Sequence, residues 1–508
     1  MNRVMTRGVA LAMLLGAGSA GASLEPASTA HKPPSATAED AAGKFAEAVT
    51  DLRRGDYAKA GPELDRLMLA PGFAELSVDA RFNTYNLAAA IAAQNRQYAR
   101  AHQLAVQATG FEQASGAIWL TRLFSAMSIG DFPDAGRSVE AIAGRWPDRL
   151  DSVRPGGIAQ LHHALRQAHA DDVDRAMLDA LFDADWQAGS STFDSLWRDL
   201  ALMRLEHGEI DQAAKAAHRI GSAETVVSMR VDKRFDPITR ADPHAFDVNR
   251  VLDAQIRSAR ARIKAHPEQL EAVHRLQDLL LEKGKDAEVL AVSQDAVAHA
   301  EKGDGEQAYV DFADNYNWVL NQRSLALQHE GRWDDAVQEM ARAARRPESG
   351  GLNVSQSINL AGLYTDLDQP DRAAAAIVEP GAMSPYGRMQ LEYTRLQIAI
   401  EKNDAHAVAE HMAYLKKHRD DDIATWQRAL LRHGDLDAAA GVLIERLKSP
   451  EWRNRALVEM QHYLRGQMTP TMKMVDQRWN ALTTRPDVLA AVRGVGRIEH
   501  FDIVATGY

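Results

Sequence analysis

In the stretch HEGRWDDAVQEMARAA, His329 to Ala344, apolar or small residues fall at Trp333, Ala336, Val337, Met340, Ala343 and Ala344. Steps of three and four put them on one face of a helix that starts just after a glycine break. The half-pattern recurs: a glycine or polar anchor, an aromatic or aliphatic residue two positions on, and a small residue three after that. Strong copies are GDYAKA from Gly55, RQYARA from Arg96, GDFPDA from Gly130, GEIDQA from Gly208, GRWDDA from Gly331 and GDLDAA from Gly434. Weaker ones are DDVDRA from Asp171, GKDAEV from Gly284, DQPDRA from Asp368 and NDAHAV from Asn403. The anchors are 41, 34, 41, 37, 76, 47, 37, 35 and 31 residues apart. A period in the middle to high thirties predicts stacked helical hairpins.

Each position has a physical reason. Glycine accepts the left-handed conformation that ends one helix, the aromatic wedges into the hairpin, and a small residue lets two helices approach closely. A single hairpin cannot bury its apolar face, so its neighbours must complete the core. Preceding helices carry Trp197-x-x-Leu200-Ala201, Trp119 and Leu360-Ala361-x-x-Tyr364, and Pro147 and Pro347 close second helices. Together these positions resemble the tetratricopeptide repeat over roughly residues 40–447, with one gap. The resemblance implies an all-α, right-handed solenoid of antiparallel hairpins, and a binding role by analogy.

The gap holds VDKRFDPITRADPHAFD, in which Pro237 and Pro243 interrupt helix. It divides the expected chain into an N-terminal repeat lobe over 41–222, an irregular connector over 223–247 and a C-terminal repeat lobe over 248–447. Residues 448–508 read as capping helices carrying Trp452 and Trp479, then a tail with alternating apolar residues.

The start changes the picture. Arg3 and Arg7 precede an apolar stretch too short to span a bilayer, and Ala20-Gly21-Ala22 fits a cleavage site, so residues 1–22 read as a secretory signal peptide. Residues 23–40 read as a flexible leader. Loss of the two arginines takes the formal charge from −11 to −13, the wrong sign for a nucleic-acid binder. The chain has 0 cysteines, which leaves an exported protein no disulfides and no lipidated cysteine. A periplasmic or secreted protein is expected.

Catalytic patterns are missing. No nucleophile elbow, zinc-protease helix or phosphate loop is found, and no cofactor, metal or catalytic residue is assigned. QLHHALRQAHADD places His162 and His169 two turns apart beside Asp171 and Asp172, better read as ordinary helix and turn residues than as a metal edge. Asp420-Asp421-Asp422 reads as helix capping. Trp119, Trp197 and Trp333 fall on core positions, and Trp318, among asparagines, reads more readily as core than as groove. Some tetratricopeptide proteins hold a carboxylate with groove lysine, asparagine and arginine, but no asparagine stands six residues before any anchor here.

Helical spacing offers as ligand-groove candidates Asn83, Asn86, Arg198 and Glu206 in the first lobe and His274, Asp278, Trp318 and Asn321 in the second. The expectation is a non-enzymatic scaffold of the bacterial cell envelope that holds a protein or peptide partner in a concave groove. Two alternatives stand beside it: guidance of an exported polysaccharide or oligosaccharide, and a hydrolase using Asp232, Asp236 or Asp242 at the lobe junction.

Overall fold

The computed structural model describes residues 35–187, 193–348, 351–377 and 381–505. The expected signal peptide, and the leader up to residue 34, lie outside the described residues. Helix begins earlier than the leader boundary allows. Ser35 caps α1 (Ala36–Arg53), its Oγ accepting from the Ala38 amide, so residues 36–40 are helical.

Hairpins then follow one another: α1 with α2 (Tyr57–Met68), α3 (Val78–Gln94) with α4 (Tyr98–Thr109), α5 (Gly116–Ile129) with α6 (Phe132–Arg145), and α7 (Pro155–Gln167) with α8 (Asp171–Asp183). Next come α9 (Asp194–Glu206) and α10 (Ile210–Ala217). The chain divides into two compact units, Met1–Met203 and Arg204–Tyr508, and the division falls inside α9.

The stretch expected to be an irregular connector is mostly helix: α11 (Ala223–Val231), a 3-10 turn at Lys233–Phe235 and α12 (Asp236–Thr239). Pro237 sits in the first turn of α12, where a missing amide hydrogen costs nothing. Val227, Val231, Phe235 and Ile238 are buried, so the segment belongs to the core of the second unit.

The second unit continues with α13 (Val248–Ala265), α14 (Leu270–Glu282), α15 (Asp286–Val292), α16 (Gln294–Lys302), α17 (Gly305–Ala308), α18 (Phe312–His329) and α19 (Trp333–Ala344). It runs on through α20 (Val354–Asp366), α21 (Pro370–Ala376), α22 (Pro385–Glu401), α23 (Ala405–Lys417), α24 (Ile423–His433) and α25 (Leu436–Lys448). The last elements are α26 (Arg453–Glu459), β1 (His462–Leu464), α27 (Pro470–Thr483), α28 (Pro486–Val495) and β2 (His500–Val504). No helix among the described residues is long and apolar enough to cross a membrane.

The repeat pattern is visible in the backbone. Gly55, Gly130, Gly208, Gly284, Gly331 and Gly434 all have φ between 71° and 97°, and the non-glycine anchors Arg96, Asp368 and Asn403 follow at 60°, 56° and 54°. At the small position five residues on, Ala60, Ala101, Ala135, Ala213, Ala336, Ala373 and Ala439 are all 0% exposed, which is where paired helices meet. One anchor was misplaced by two residues. His169, not Asp171, has the positive φ of 54°, so the buried small position is taken by Asp174 rather than Ala176.

The packing of the second unit returns on itself. Helices are in contact in series from α13 to α26, and α26 packs on α11, which packs on α13. The last strand, β2, pairs in parallel with β1. Arg497 donates its amide to Val231 O at 3.0 Å, and Arg230 pairs with Glu499 at 2.6 Å. A Cβ on Gly496 would lie 2.5 Å from Val231 O and 2.6 Å from Leu457, so only glycine permits this join. The expected cap is therefore more than an end piece: α27 also reaches back to touch α20, α24 and α25.

Candidate functional site

One polar face of the second unit starts on α14, where His274, Asp278 and Glu282 recur at intervals of four and share one side of the helix. From α18, Trp318 and Gln322 face them. The Trp318 and His274 rings lie 6.0 Å apart, tilted by 30°. The Gln322 amide nitrogen reaches both His274 Nε2, at 3.3 Å, and Asp278. Asn321 accepts from exposed Asn359 of α20 at 2.9 Å and donates weakly to Gln322 Oε1 at 3.4 Å. Four of the expected groove residues, His274, Asp278, Trp318 and Asn321, thus lie in one polar network. Gln322 and Asn359 complete it; helical spacing does not single them out, because their partners lie on neighbouring helices.

Trp318 is partly buried and lies outside the apolar clusters described around Leu320 and Leu327; the core place on α18 goes to Tyr316, 2% exposed and stacked on Phe312 at 4.7 Å. Trp197 is a core residue at 5% exposure, and Trp119 and Trp333 pack partly buried against apolar clusters.

Charge on this face is incompletely compensated. Burial pushes the Asp278 carboxyl above its ordinary value, and burial together with repulsion from Glu224 pushes Glu282 up to about 7. Further along, Gln390 of α22 donates to Thr425 Oγ1 at 2.6 Å and to Asp422 at 3.1 Å, and Arg428 sits over the Tyr393 ring at 5.5 Å. Arg432, 3% exposed, pairs with Glu401 at 2.6 Å. Burial still holds Glu401 up at about 7 and Asp366 at about 6, against the pull of Arg432. Asp422 does stand at the start of α24, but its side chain accepts no capping amide; it takes Thr425 at 2.5 Å and Arg455 at 3.1 Å instead.

The other expected groove residues are not part of this network. Asn83 and Asn86 lie partly buried on α3, with no side-chain hydrogen bond among the described residues. Arg198 is held by Asp199 at 2.6 Å, and Glu206 is exposed, 3.8 Å from Arg234. His162 does not face His169. Both its ring nitrogens are taken by carboxylates, Asp174 at 2.8 Å and Asp199 at 3.1 Å. Although burial opposes the charged form, these two partners raise His162 to about 9, and Asp199 is held well below the usual carboxylate range against its own burial. The three carboxylates of the hydrolase alternative each have a different partner: Asp232 an arginine, Arg234, at 2.6 Å, Asp236 another, Arg497, and Asp242 the His218 ring at 3.3 Å.

No family model matches the chain, and no curated protein matches it. Among solved structures it is similar to yeast Tom70, with 10% identity over 90% of this chain and 99% of that one, at a TM-score of 0.29. The APC/C hetero-tetramer Cut9-Hcn1 gives 13% identity over 90% and 94%, with a TM-score of 0.27. Naa15/Naa10 bound to HypK-THB gives 13% over 83% and 70%, with a TM-score of 0.23. Scores this low carry no argument about function. The fold stands on the chain's own hairpins, positive-φ anchors and buried alanines: an α-solenoid of tetratricopeptide-like helical repeats.

Proposed function

We propose that the protein is a non-enzymatic scaffold of the bacterial cell envelope, exported by its N-terminal signal, and that the second unit holds an extended stretch of a partner polypeptide. The observation that carries this reading is the network of Trp318, His274, Gln322, Asn321 and Asn359. Side-chain amides offer donors and acceptors together, which suits the alternating groups of an extended main chain, and a partly exposed tryptophan adds an apolar anchor. The separate partners of Asp232, Asp236 and Asp242, two arginines and a histidine ring, weaken the hydrolase alternative.

The test is a crosslinked pull-down of the tagged mature protein from an envelope fraction, followed by mass spectrometry. One envelope protein recovered in fixed proportion, and lost in Trp318→Ala and Gln322→Ala, supports the scaffold. Recovery that both variants leave unchanged moves the partner off this face. Cell fractionation and N-terminal sequencing check the export step, with a mature start after residue 22 expected.

The same Trp318 with its amides favours a second reading, a sugar ring stacked on the indole. Tryptophan fluorescence that changes with an oligosaccharide, and not in Trp318→Ala, would select it over the peptide.

A further inference from the structure

A cavity of about 500 Å³ lies in the second unit where the turn after α10, the loop before α13 and the first turns of α13 meet. Its apolar side is formed by Ile220, Phe246, Val251 and Ala254, and its rim by Arg250, Arg257, His218 and His244. It holds one acid, Asp242, and that acid is already used. Asp242 accepts the Ala245 amide at 3.0 Å and pairs with His218 at 3.3 Å, which together hold its carboxyl below the ordinary value.

The two arginines contrast with their neighbours on the same helix. Arg260 and Arg262 of α13 pair with Glu288 and Glu271. The Arg250 backbone amide donates to Asp247 at 2.7 Å, but its guanidinium donates only to the His244 carbonyl, at 3.3 Å, and neither the Arg250 nor the Arg257 side chain is in an ion pair among the described residues. In a chain of net charge −11, two guanidinium groups without carboxylates, at the mouth of one partly apolar cavity, are a local excess of positive charge. Guanidinium groups bind planar or tetrahedral oxyanions through paired hydrogen bonds. The apolar side is wasted on a bare inorganic ion.

We propose that this cavity is a binding site for a small amphiphilic anion, a carboxylate or phosphate monoester whose oxyanion sits between Arg250 and Arg257 and whose apolar body rests on Ile220, Phe246 and Val251. The site is separate from the amide network of α14, α18 and α20, and it does not rest on the scaffold reading. Whether carboxylate or phosphate is preferred depends on how closely the two guanidinium groups converge on the head group.

Calorimetric titration of the full mature chain tests it, with hexanoate and hexyl phosphate as probes and hexylammonium and inorganic phosphate as controls. At least one hexyl anion should bind roughly tenfold or more tighter than both controls, and the tighter of the two names the head group. Arg250→Gln with Arg257→Gln should weaken that binding by roughly tenfold or more. Both arginines are exposed, so the fold should tolerate the change. Ala254→Trp, which fills the cavity without touching charge, should abolish binding, and Trp318→Ala should leave it unchanged. Equal affinity for hexylammonium, no heat with either anion, or an undiminished affinity in the double arginine variant would overturn the proposal.

Discussion

Two groups of buried charges, one in each unit, are arranged in opposite ways. In the first, polar groups between repeats are paired off: His162 lies between Asp174 and Asp199, and Asp134 takes both Arg122 and His102, the latter at 2.8 Å. In the second, Glu282, Asp366 and Glu401 stand in a low-dielectric setting with too little positive charge, and their carboxyls rise to between about 6 and about 7. The first arrangement locks one repeat to the next. The second leaves carboxyls that take up protons between about pH 6 and about pH 7.

The largest effect that can break this comparison is at His162. His162→Leu leaves Asp174, 0% exposed, as a buried charge without its partner, and should cost the first unit about 3–5 kcal/mol. Hydrogen exchange resolved by peptide should show α7–α9 losing protection while α18–α20 keep theirs. Adding Asp174→Ala should restore much of the loss, because alanine is the residue that most of the other repeats bury at this place. If α18–α20 lose protection as well, the units are not independent.

Arg432→Met should come next, at about 3 kcal/mol near pH 8, because Glu401 and Asp366 then lose their shared cation. The loss should shrink near pH 5, where both carboxyls take up protons and no longer need it. Denaturant midpoints for this variant at the two pH values test the claim; an equal loss at both would refute it.

The wild-type pH profiles should differ by a smaller amount. His162 is raised from 6.5 to about 9, so its stabilisation is complete below its unfolded value and fades as pH rises through 9. Raised carboxylates act the other way: the folded second unit binds the extra protons, so its stability falls as pH rises from about 4.5 to about 7. Exchange corrected for intrinsic rate should show the second unit loosening first as pH rises from 5, and the first unit only above neutral. Smallest of all is Gln322→Ala, which should change stability by under about 1 kcal/mol while weakening partner capture. A large drop in thermal stability would make Gln322 a structural residue.

Much of this fold is legible in the chain. The recurring anchor and the small residue five positions on predict hairpins, because a left-handed turn and a close helix approach each admit few side chains. The pattern failed at one place for a physical reason. Ala176 fits the template from Asp171, but His169 makes the turn and Asp174 fills the buried site, which works only because His162 supplies the opposite charge from another helix. A local pattern does not contain a partner twelve residues away. The candidate site was legible in part: helical spacing found His274, Asp278, Trp318 and Asn321, since each repeats along its own helix. It did not find Gln322 and Asn359, whose role comes from the neighbouring helix.

The sequence by itself determined the all-helical class, the repeat and most of its turns, because these follow from local sterics and periodicity. Only tertiary structure decided that α11 and α12 are core rather than connector, that β2 and Gly496 join the end of the second unit to its beginning, and that Arg250 and Arg257 share a cavity. The join depends on contacts between distant segments, such as Arg230 with Glu499 at a separation of 269, and the cavity on two segments that meet only in the fold; no local rule records either.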